Sequence, residues 1–396
     1  MSLVRLSDAI VSVSRPRAGS LFNPGKVRNR KPPLRSFYSS SRALASSPLR
    51  AFSSNSFRSI MAARDTSHLS DISKMKSESD GSFHRLPSLF RDFIEPGGKF
   101  APEKGRYHLY VSYACPWATR ALIVRKLKGL EDIIPVTIVS PKMGNNGWPF
   151  ASVDAFPGAE VDPLFNAEHV RDLYLRANPD YERRFTVPFI WDKTHNTIVN
   201  NESSEIIRMF NTAFNDIIPA DKAALDLYPA ENRAEIDAVN DWVYSEINNG
   251  VYRAGFATQQ EAYESAVKIV FAGLDKVEKI LKGKDYLIGG RLTEADVRLW
   301  VTIVRLPILV FMLLTFVTMQ LRFDPVYVGH FKCNFNTIRS GYPEINRWMK
   351  ALYWKNPAFK DSTNFDHIKT HYYWSHPQIN ATRIVPAGPM PLIEPL

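Results

Sequence analysis

The stretch RYHLYVSYACPWATRALIVRKLKGL, residues 106–130, decides the fold because its character changes at Cys115. Before the cysteine, 106–114 is rich in aromatic and apolar residues, as strands are. After it, Pro116 suits the first position of a helix, where no backbone N–H is needed. The stretch therefore predicts a strand, then a cysteine at the junction, then a helix over 116–130.

The rest of the chain extends this pattern. Further runs predict strands at 133–140, 185–192 and 196–201, followed by a helix at 202–214. From residue 218 onward, apolar residues recur at helical spacing. This order predicts an α/β domain over 105–216 and an all-helical domain over 217–396. The helices predicted in the second domain are 234–252, 259–281 and 293–304, the last with a capping box formed by Thr293 and Asp296.

The net charge of +10 belongs to one end of the chain. Residues 1–60 hold nine Arg, two Lys and one Asp, so the remainder is neutral overall. A neutral body has no surplus charge to drive nucleic-acid binding. The first 60 residues are also rich in serine, which is typical of a transit peptide for a plastid or a mitochondrion, although a disordered tail has a similar composition. Met61 offers an internal start that would leave a cytosolic form.

Two further segments stand apart from the predicted domains. Residues 61–104 are polar and punctuated by Gly and Pro, and we interpret them as a leading arm. The segment 306–321 has no charge but is shorter than a membrane helix requires. Removing 306–322 joins the flanking sequences smoothly, so we interpret 306–322 as an insertion. A buried helix and a membrane anchor are the alternatives, and we expect no membrane association.

Cys115 is a candidate nucleophile. A helix beginning at Pro116 would aim unpaired N–H groups and the positive end of its dipole at the thiol, favouring the thiolate. Arg120 would add positive potential. The alternative is an inert buried cysteine. A dithiol redox motif needs a second cysteine three residues on, but Ala118 stands there. The second thiol must therefore come from outside, and glutathione is the obvious intracellular candidate.

Two later motifs fit a glutathione site. In TVPF, residues 186–189, a cis Pro188 would leave the backbone of Val187 free to pair with the ligand. Glu202 and Ser203 open a helix, where N–H groups and hydroxyls bind a carboxylate and Glu202 can take an ammonium group. Simple helix capping is the alternative for these two residues. Each signal is weak alone, but their order after Cys115 strengthens the set.

With these motifs, the sequence resembles the Xi-class glutathione transferases, the glutathionyl-hydroquinone reductases. The resemblance spans roughly 78–395 and is interrupted only at 306–322. The motifs that carry it are DGSFHR (80–85), CPWATR (115–120), GWPF (147–150), TVPFIWD (186–192), NNESSEIIRM (200–209), NNGVYRAGFA (248–257), LTEADVRL (292–299), FDPVYVGHFKCN (323–334) and HIKTHYYWSH (367–376).

The resemblance implies a thioredoxin-like domain followed by an all-α domain, in a homodimer that uses glutathione as co-substrate and no metal. It implies that the Cys115 thiolate attacks a glutathionyl-hydroquinone, leaving a mixed disulfide that a second glutathione resolves. It further implies that two tyrosines, Tyr252 and Tyr372, lie over the quinol ring, with Tyr373 as a substitute for Tyr372. The residues that it implies hold glutathione are Trp148, Arg184, Val187, Glu202 and Ser203.

Other interpretations of single residues remain open. Tyr113 or Ser112 could activate glutathione, as hydroxyls do in other transferases, although Cys115 is the better nucleophile. The histidines at 367, 371 and 376 include an i,i+4 pair that would suit a metal, but a solvated or dimer-edge tail is the simpler interpretation. Cys333 is expected to be a packing residue.

Two alternatives to the reductase function also remain. An omega-like thioltransferase or dehydroascorbate reductase uses the same single cysteine. A catalytically impaired isoform of the fold would be explained by the insertion at 306–322, which enters the domain that should shape the quinol pocket.

Overall fold

The computed structural model describes residues 79–83, 85–305, 326–388, 393 and 395–396. The transit peptide predicted at 1–60, the first part of the leading arm and the insertion at 306–322 lie outside the described residues. By its internal contacts the chain divides between Ala63 and Arg64, so every described residue belongs to the unit Arg64–Leu396.

The centre of the first half is a four-stranded mixed sheet. Strand β1 pairs in parallel with β2, with Leu109 opposite Val136, and antiparallel with β3 on its other side. A parallel pair needs a crossover, and helix α1, Pro116–Leu127, provides it. All five residues of β1 are buried, as a strand covered on both faces requires. The strands are β1 Tyr107–Val111, β2 Val136–Ile138, β3 Phe189–Asp192 and β4 Thr197–Asn200, in the sheet order β2-β1-β3-β4.

Three helices belong to this α/β half. Helix α1 begins at Pro116, directly after Cys115, whose extended backbone makes it the N-cap residue. Helix α3 follows β4 and contacts α1. Helix α3 is amphipathic and buries Ile206, Ile207 and Phe210, whereas α1 is buried on nearly all sides. The helices are α1 Pro116–Leu127, α2 Val170–Ala177 and α3 Ser203–Thr212.

The second half is helical throughout its described part, and its helix α8 packs against α1. The predicted capping box is present, because Thr293 and Asp296 exchange hydrogen bonds at the start of α8. The helices are α4 Ala220–Ala223, α5 Arg233–Trp242, α6 Gly250–Gly255, α7 Gln260–Leu281, α8 Glu294–Ile303, α9 Ile338–Gly341, α10 Pro343–Lys355, α11 Pro357–Lys360 and α12 Phe365–Ser375, with 3-10 turns at Asn215–Ile217 and Ala230–Asn232.

The structure corrects several predicted elements. The helix predicted at 234–252 is interrupted, because Val243–Asn248 forms a π-helical stretch between α5 and α6. Helix α2 and the helices after residue 337 were not predicted. The predicted strands are each shorter than their sequence runs, and Phe214 is buried beyond the end of α3. Within the described residues, no helix is long and apolar enough to cross a membrane.

Candidate active site

A cavity of about 340 Å³ opens beside the first turn of α1. The start of α1, the loop before β3, the start of α3 and the helical half all contribute to its wall. Every residue predicted for the site lies in this wall, although the sequence separates the first and last by more than 250 positions. These residues are Cys115, Trp148, Arg184, Val187, Glu202, Ser203, Tyr252 and Tyr372.

Cys115 lies at the junction of β1 and α1 and is about nine-tenths buried. Its thiol donates a hydrogen bond to the Val187 carbonyl oxygen, with Sγ and O 3.4 Å apart. The backbone N–H groups of Trp117 and Ala118, in the first turn of α1, point at the sulfur. The cysteine therefore has the helix-terminus environment that the sequence predicts.

The net pKa of this thiol differs from the prediction. Burial raises the pKa of Cys115 and outweighs the opposing groups, which are the Ala118 N–H, Arg305, the Trp117 N–H and Arg85. The helix start does contribute a lowering of the Cys115 pKa, as predicted. The prediction that the net pKa is lowered is wrong, because burial has the larger effect. The hydrogen bond to Val187 also favours the neutral thiol, because only the protonated sulfur can donate it.

Arg120 does not provide the expected positive potential at the sulfur. Its guanidinium donates to the Asn248 side chain at 2.8 Å and to the Ser203 hydroxyl at 3.4 Å. Arg305, at the end of α8, takes this position instead. It donates to the carbonyl oxygens of Tyr113 and Ala114, just before the cysteine, at 3.2 and 3.3 Å.

The loop before β3 and the start of α3 form one side of the cavity. The peptide bond between Val187 and Pro188 is cis, as predicted. Glu202 is the N-cap residue of α3 and accepts a hydrogen bond from the Ser204 N–H at 3.1 Å. Its other oxygen accepts from the Ser88 hydroxyl at 3.3 Å. Glu202 therefore caps the helix while remaining in the cavity wall.

Trp148 and Arg184 complete this side. The Trp148 ring stacks on His371, with ring centroids 4.5 Å apart. Arg184 lies in the cavity wall, where burial and then the charge of Arg85 lower its pKa to about 10. We name the strand-side wall as Trp148, Arg184, Val187, Glu202 and Ser203.

The opposite side is aromatic. The hydroxyl oxygens of Tyr252 and Tyr372 lie 2.6 Å apart, and that of Tyr327 lies 3.0 Å from Tyr372. All three are buried, and burial raises the pKa of each, so each keeps its proton at neutral pH. We name the helix-side wall as Tyr244, Tyr252 and Tyr372, with Tyr327 directly behind.

Comparison with known proteins assigns the family. Family models described as the N-terminal and C-terminal domains of glutathione S-transferase match residues 114–213 and 260–351. The crystal structure of the Xi glutathione S-transferase from Phanerochaete chrysosporium is 66% identical, with a TM-score of 0.77, over 83% of this chain and 99% of that one. The chain belongs to the Xi-class glutathione transferases.

Relatives of this Xi-class transferase carry two kinds of name. A protein of Schizosaccharomyces pombe named glutathione S-transferase omega-like 2 is 55% identical over 80% of this chain and 96% of the relative. The Escherichia coli protein named glutathionyl-hydroquinone reductase YqjG is 50% identical over 78% of this chain and 89% of the relative. The glutathione-bound structure of YqjG has a TM-score of 0.69 and 48% identity over 80% of this chain and 96% of that one.

The hydroxyl groups of Tyr113 and Ser112, considered above as possible activators of glutathione, do not lie in the cavity wall. Tyr113 packs its ring against His367, and the Ser112 hydroxyl accepts from the Ala114 N–H. Neither belongs to the cavity wall. Tyr373, the substitute considered for Tyr372, is half-buried against His330 and also lies outside the wall.

The interpretation of the three C-terminal histidines as a solvated tail is wrong. His367, His371 and His376 are all buried, and His371 lies in the cavity wall. His367 and His371 contact the carbonyl oxygens of Pro157 and Pro141 at 2.8 and 2.9 Å. Over the described part of the chain, no group of three or more His, Cys, Asp or Glu is arranged to hold a metal.

Sequence reasoning missed several cavity residues and their neighbours. Tyr327 lies within the motif FDPVYVGHFKCN, so the resemblance contained the signal. Arg85 likewise ends the motif DGSFHR. Arg305 follows an apolar helix and gives no local signal, because only the fold brings its long side chain to Cys115. Cys333 is buried, as a packing residue should be.

Proposed function

We propose that the protein reduces glutathionyl-hydroquinones to hydroquinones at the expense of glutathione. The observation that carries this proposal is the position of Cys115 and the linked tyrosine hydroxyls in the wall of one cavity. A nucleophilic sulfur and protonated phenols on facing sides match a reaction that breaks a bond between sulfur and an aromatic ring. The name of the relative YqjG supports the same reaction class.

In the first step, the Cys115 thiolate attacks the sulfur of the glutathionyl group. A bond between the two sulfurs forms, and the bond from sulfur to the aromatic carbon breaks. The electron pair of the broken bond goes to that carbon, which takes a proton, and the hydroquinone leaves. The cysteine then carries a glutathionyl mixed disulfide.

In the second step, the thiolate of another glutathione attacks the sulfur of the bound glutathionyl group. Glutathione disulfide leaves, and the electron pair returns to Cys115 as a thiolate. The two glutathione sulfurs are oxidised while the aromatic carbon is reduced, so no further reductant is needed. Ala118 makes this external thiol necessary, since no cysteine stands three residues after Cys115.

Substrate binding offers a way to ionise the buried thiol. The thiol proton is donated to the Val187 carbonyl oxygen. If the backbone N–H of the glutathionyl cysteine pairs with the same oxygen, the neutral thiol loses its acceptor. The Ala118 N–H, Arg305, the Trp117 N–H and Arg85 then favour the thiolate. The nucleophile would thus form when its substrate is in place.

We assign the two parts of the substrate to the two walls, glutathione to the strand-side wall and the quinol ring to the helix-side wall. We assign the γ-glutamyl end of glutathione to Glu202 and Ser203, with Glu202 facing the ammonium group and the start of α3 facing the carboxylate. Trp148 and Arg184 would hold the rest of the tripeptide. Tyr252 and Tyr372 would face the quinol ring, donate hydrogen bonds to its oxygens and supply the proton that the aromatic carbon takes.

The decisive experiment combines turnover with trapping. The full-length protein should convert a glutathionyl-hydroquinone and glutathione into hydroquinone and glutathione disulfide. Mass spectrometry after incubation with the conjugate alone should find one glutathionyl group on the peptide that contains Cys115. Turnover without this adduct would contradict the mechanism, and absence of both would favour an impaired isoform.

A thioltransferase or dehydroascorbate reductase activity is the second candidate, because three relatives are named omega-like transferases. It needs the cysteine and the strand-side wall but not the tyrosines. Activity on a small mixed disulfide or on dehydroascorbate that exceeds activity on the glutathionyl-hydroquinone would favour it.

A further inference from the structure

Arg85 lies at the aromatic end of the cavity, and beyond the contribution of its charge to the Cys115 thiolate it contacts no substrate group in the steps above. It belongs to the leading arm and lies in the cavity wall. Its guanidinium carbon is 5.0 Å from the Trp117 ring centroid and 5.2 Å from that of Tyr252. A cation at these distances is attracted to the ring faces, which hold it beside the helix-side wall.

The Arg85 guanidinium has more N–H donors than hydrogen bonds. Arginine carries five N–H donors. Within the described residues, Arg85 makes a single hydrogen bond, from Nε to the Asn249 side-chain oxygen at 3.4 Å, which is long for this type. Two nearby arginines differ, because Arg91 pairs with Glu205 and Arg106 with Asp192. Arg85 therefore retains the capacity to bind an anion.

The charges around the cavity also favour an anionic ligand. Four arginines, at 85, 91, 183 and 184, belong to the described wall, against a single carboxylate, that of Glu202. Glu202 already accepts hydrogen bonds from Ser88 and Ser204. The positive charge of Arg85 reaches the pocket interior, where it helps to lower the pKa of Cys115 and of Tyr252 against the effect of burial.

We propose that Arg85 is a specificity-determining residue that binds a carboxylate carried by the aromatic ring of the substrate. A ring lying against Tyr252 would place such a substituent within reach of the free N–H groups, and a guanidinium binds a carboxylate with two parallel hydrogen bonds. The inference rests on the proposed function for the assignment of the helix-side wall to the ring. It extends that function by naming the class of ring, an acidic hydroquinone.

The test measures binding rather than turnover, so that it does not depend on whether glutathionyl-hydroquinones are reduced. The probes are the ortho, meta and para isomers of S-(carboxybenzyl)glutathione and their methyl esters, in which one added methyl group removes the charge of the ring substituent. Calorimetry gives the Kd of each pair for the full-length wild type, Arg85→Gln, Arg85→Lys and Arg91→Gln. Arg91 is the matched control, because it lies on the same arm and wall but is already paired.

For at least one isomer, the wild type should bind the acid about tenfold more tightly than the ester, as one charged hydrogen bond allows. Arg85→Gln should remove this preference while leaving the ester within about threefold, Arg85→Lys should keep part of it, and Arg91→Gln should keep all of it. Equal binding of acid and ester by the wild type would overturn the proposal. So would an equal loss for both probes in Arg85→Gln, which would place Arg85 at the glutathione part or in the packing.

Discussion

The two walls of the cavity are built in different ways. The strand-side wall combines backbone groups, at Val187 and at the start of α3, with a few side chains such as Glu202, and it belongs to the α/β half. The helix-side wall uses large side chains from separate helices, such as Tyr252 and Tyr372. Backbone recognition suits a ligand that is always the same, whereas side chains are easily exchanged. If the proposed function holds, the constant co-substrate and the variable ring are bound by different kinds of structural element.

The largest effect should come from the residue between the two walls. Cys115→Ser should lower turnover of a glutathionyl-hydroquinone by at least about 10³-fold, since a hydroxyl at this position is a far weaker nucleophile. Steady-state kinetics with glutathione in excess would measure it. Cys333→Ser is the control, because Cys333 is buried elsewhere and should leave turnover unchanged. Retained activity in Cys115→Ser would remove the mechanism altogether.

The helix-side wall should respond next. Tyr252→Phe removes a proton donor and should lower kcat for the glutathionyl-hydroquinone by about 10²-fold, the usual scale for acid catalysis. Reduction of a small mixed disulfide by the same variant should change little, because no aromatic carbon needs a proton. Tyr373→Phe, outside the cavity wall, should affect neither reaction. Equal losses on both substrates would show that the walls do not divide the work.

The opposite pattern is expected for the strand-side wall. Glu202→Gln removes the carboxylate proposed to face the ammonium group of glutathione, so KM for glutathione should rise about tenfold with either substrate. The same change weakens the cap of α3, at a cost of about 0.5–1 kcal/mol in the free energy of unfolding. Glu205→Gln, three residues further along α3 and paired with Arg91, is the control, because it removes a carboxylate from the same helix start that is not part of the cavity wall. An unchanged KM for glutathione in Glu202→Gln would show that Glu202 only caps α3 and does not bind glutathione.

A smaller effect is expected on the reactivity of Cys115, and it should differ between substitutions of the two buried arginines nearby, Arg305 and Arg120. Arg305→Gln removes a positive charge that favours the thiolate, so the pKa of Cys115 should rise. Alkylation of the thiol at a fixed pH below that pKa should slow by about three- to tenfold. Arg120→Gln should leave the alkylation profile in place, because Arg120 contacts Asn248 and Ser203 instead. A shift of equal size in both variants would indicate a general loss of packing.

The smallest effect concerns acid stability. Burial lowers the pKa of His108, in the sheet, and of His371, in the cavity wall, to about 4 in each case. The unfolded chain, with histidine pKa values of about 6.5, then binds more protons, so stability is complete above that pH and falls as the pH drops toward 4. The free energy of unfolding should fall by about 1 kcal/mol or more per histidine between pH 7 and pH 5. Urea titrations of His108→Asn and His371→Asn should show a weaker pH dependence than the wild type.

Sequence reasoning succeeded where the determining signals are local. A strand, a cysteine and a proline at a helix start lie next to each other in the chain, so Cys115, Pro188 and Glu202 could be placed from neighbouring residues. The short helix α2 was missed because its segment, 170–177, is brief and sits among polar loop residues. Local pattern thus predicted Val187, Glu202 and Ser203 of the strand-side wall and much of the sheet, whereas Trp148 and Arg184 came only from the family resemblance.

The helix-side wall could not be predicted in that way. Tyr252, Tyr327 and Tyr372 come from three segments, and only packing of the helical half brings their hydroxyls together. Without a family resemblance, each tyrosine would count as ordinary aromatic packing. The histidines after residue 366 were misplaced for the same reason, because a polar side chain in a sequence does not reveal that its partner is a distant carbonyl group.

The π-helical stretch at Val243–Asn248 has a consequence for how this pocket could change. A π turn holds one residue more than an α turn, and each residue of a helix advances the next by about 100° around the axis. The stretch therefore has room to lose one residue: the chain would continue as a regular α-helix, and Tyr252 would stay on the cavity side. The same deletion within α5 has no such compensation and would turn every later residue of the helix by about 100°, so Val243–Asn248 is where this helix can change length without disturbing the aromatic wall.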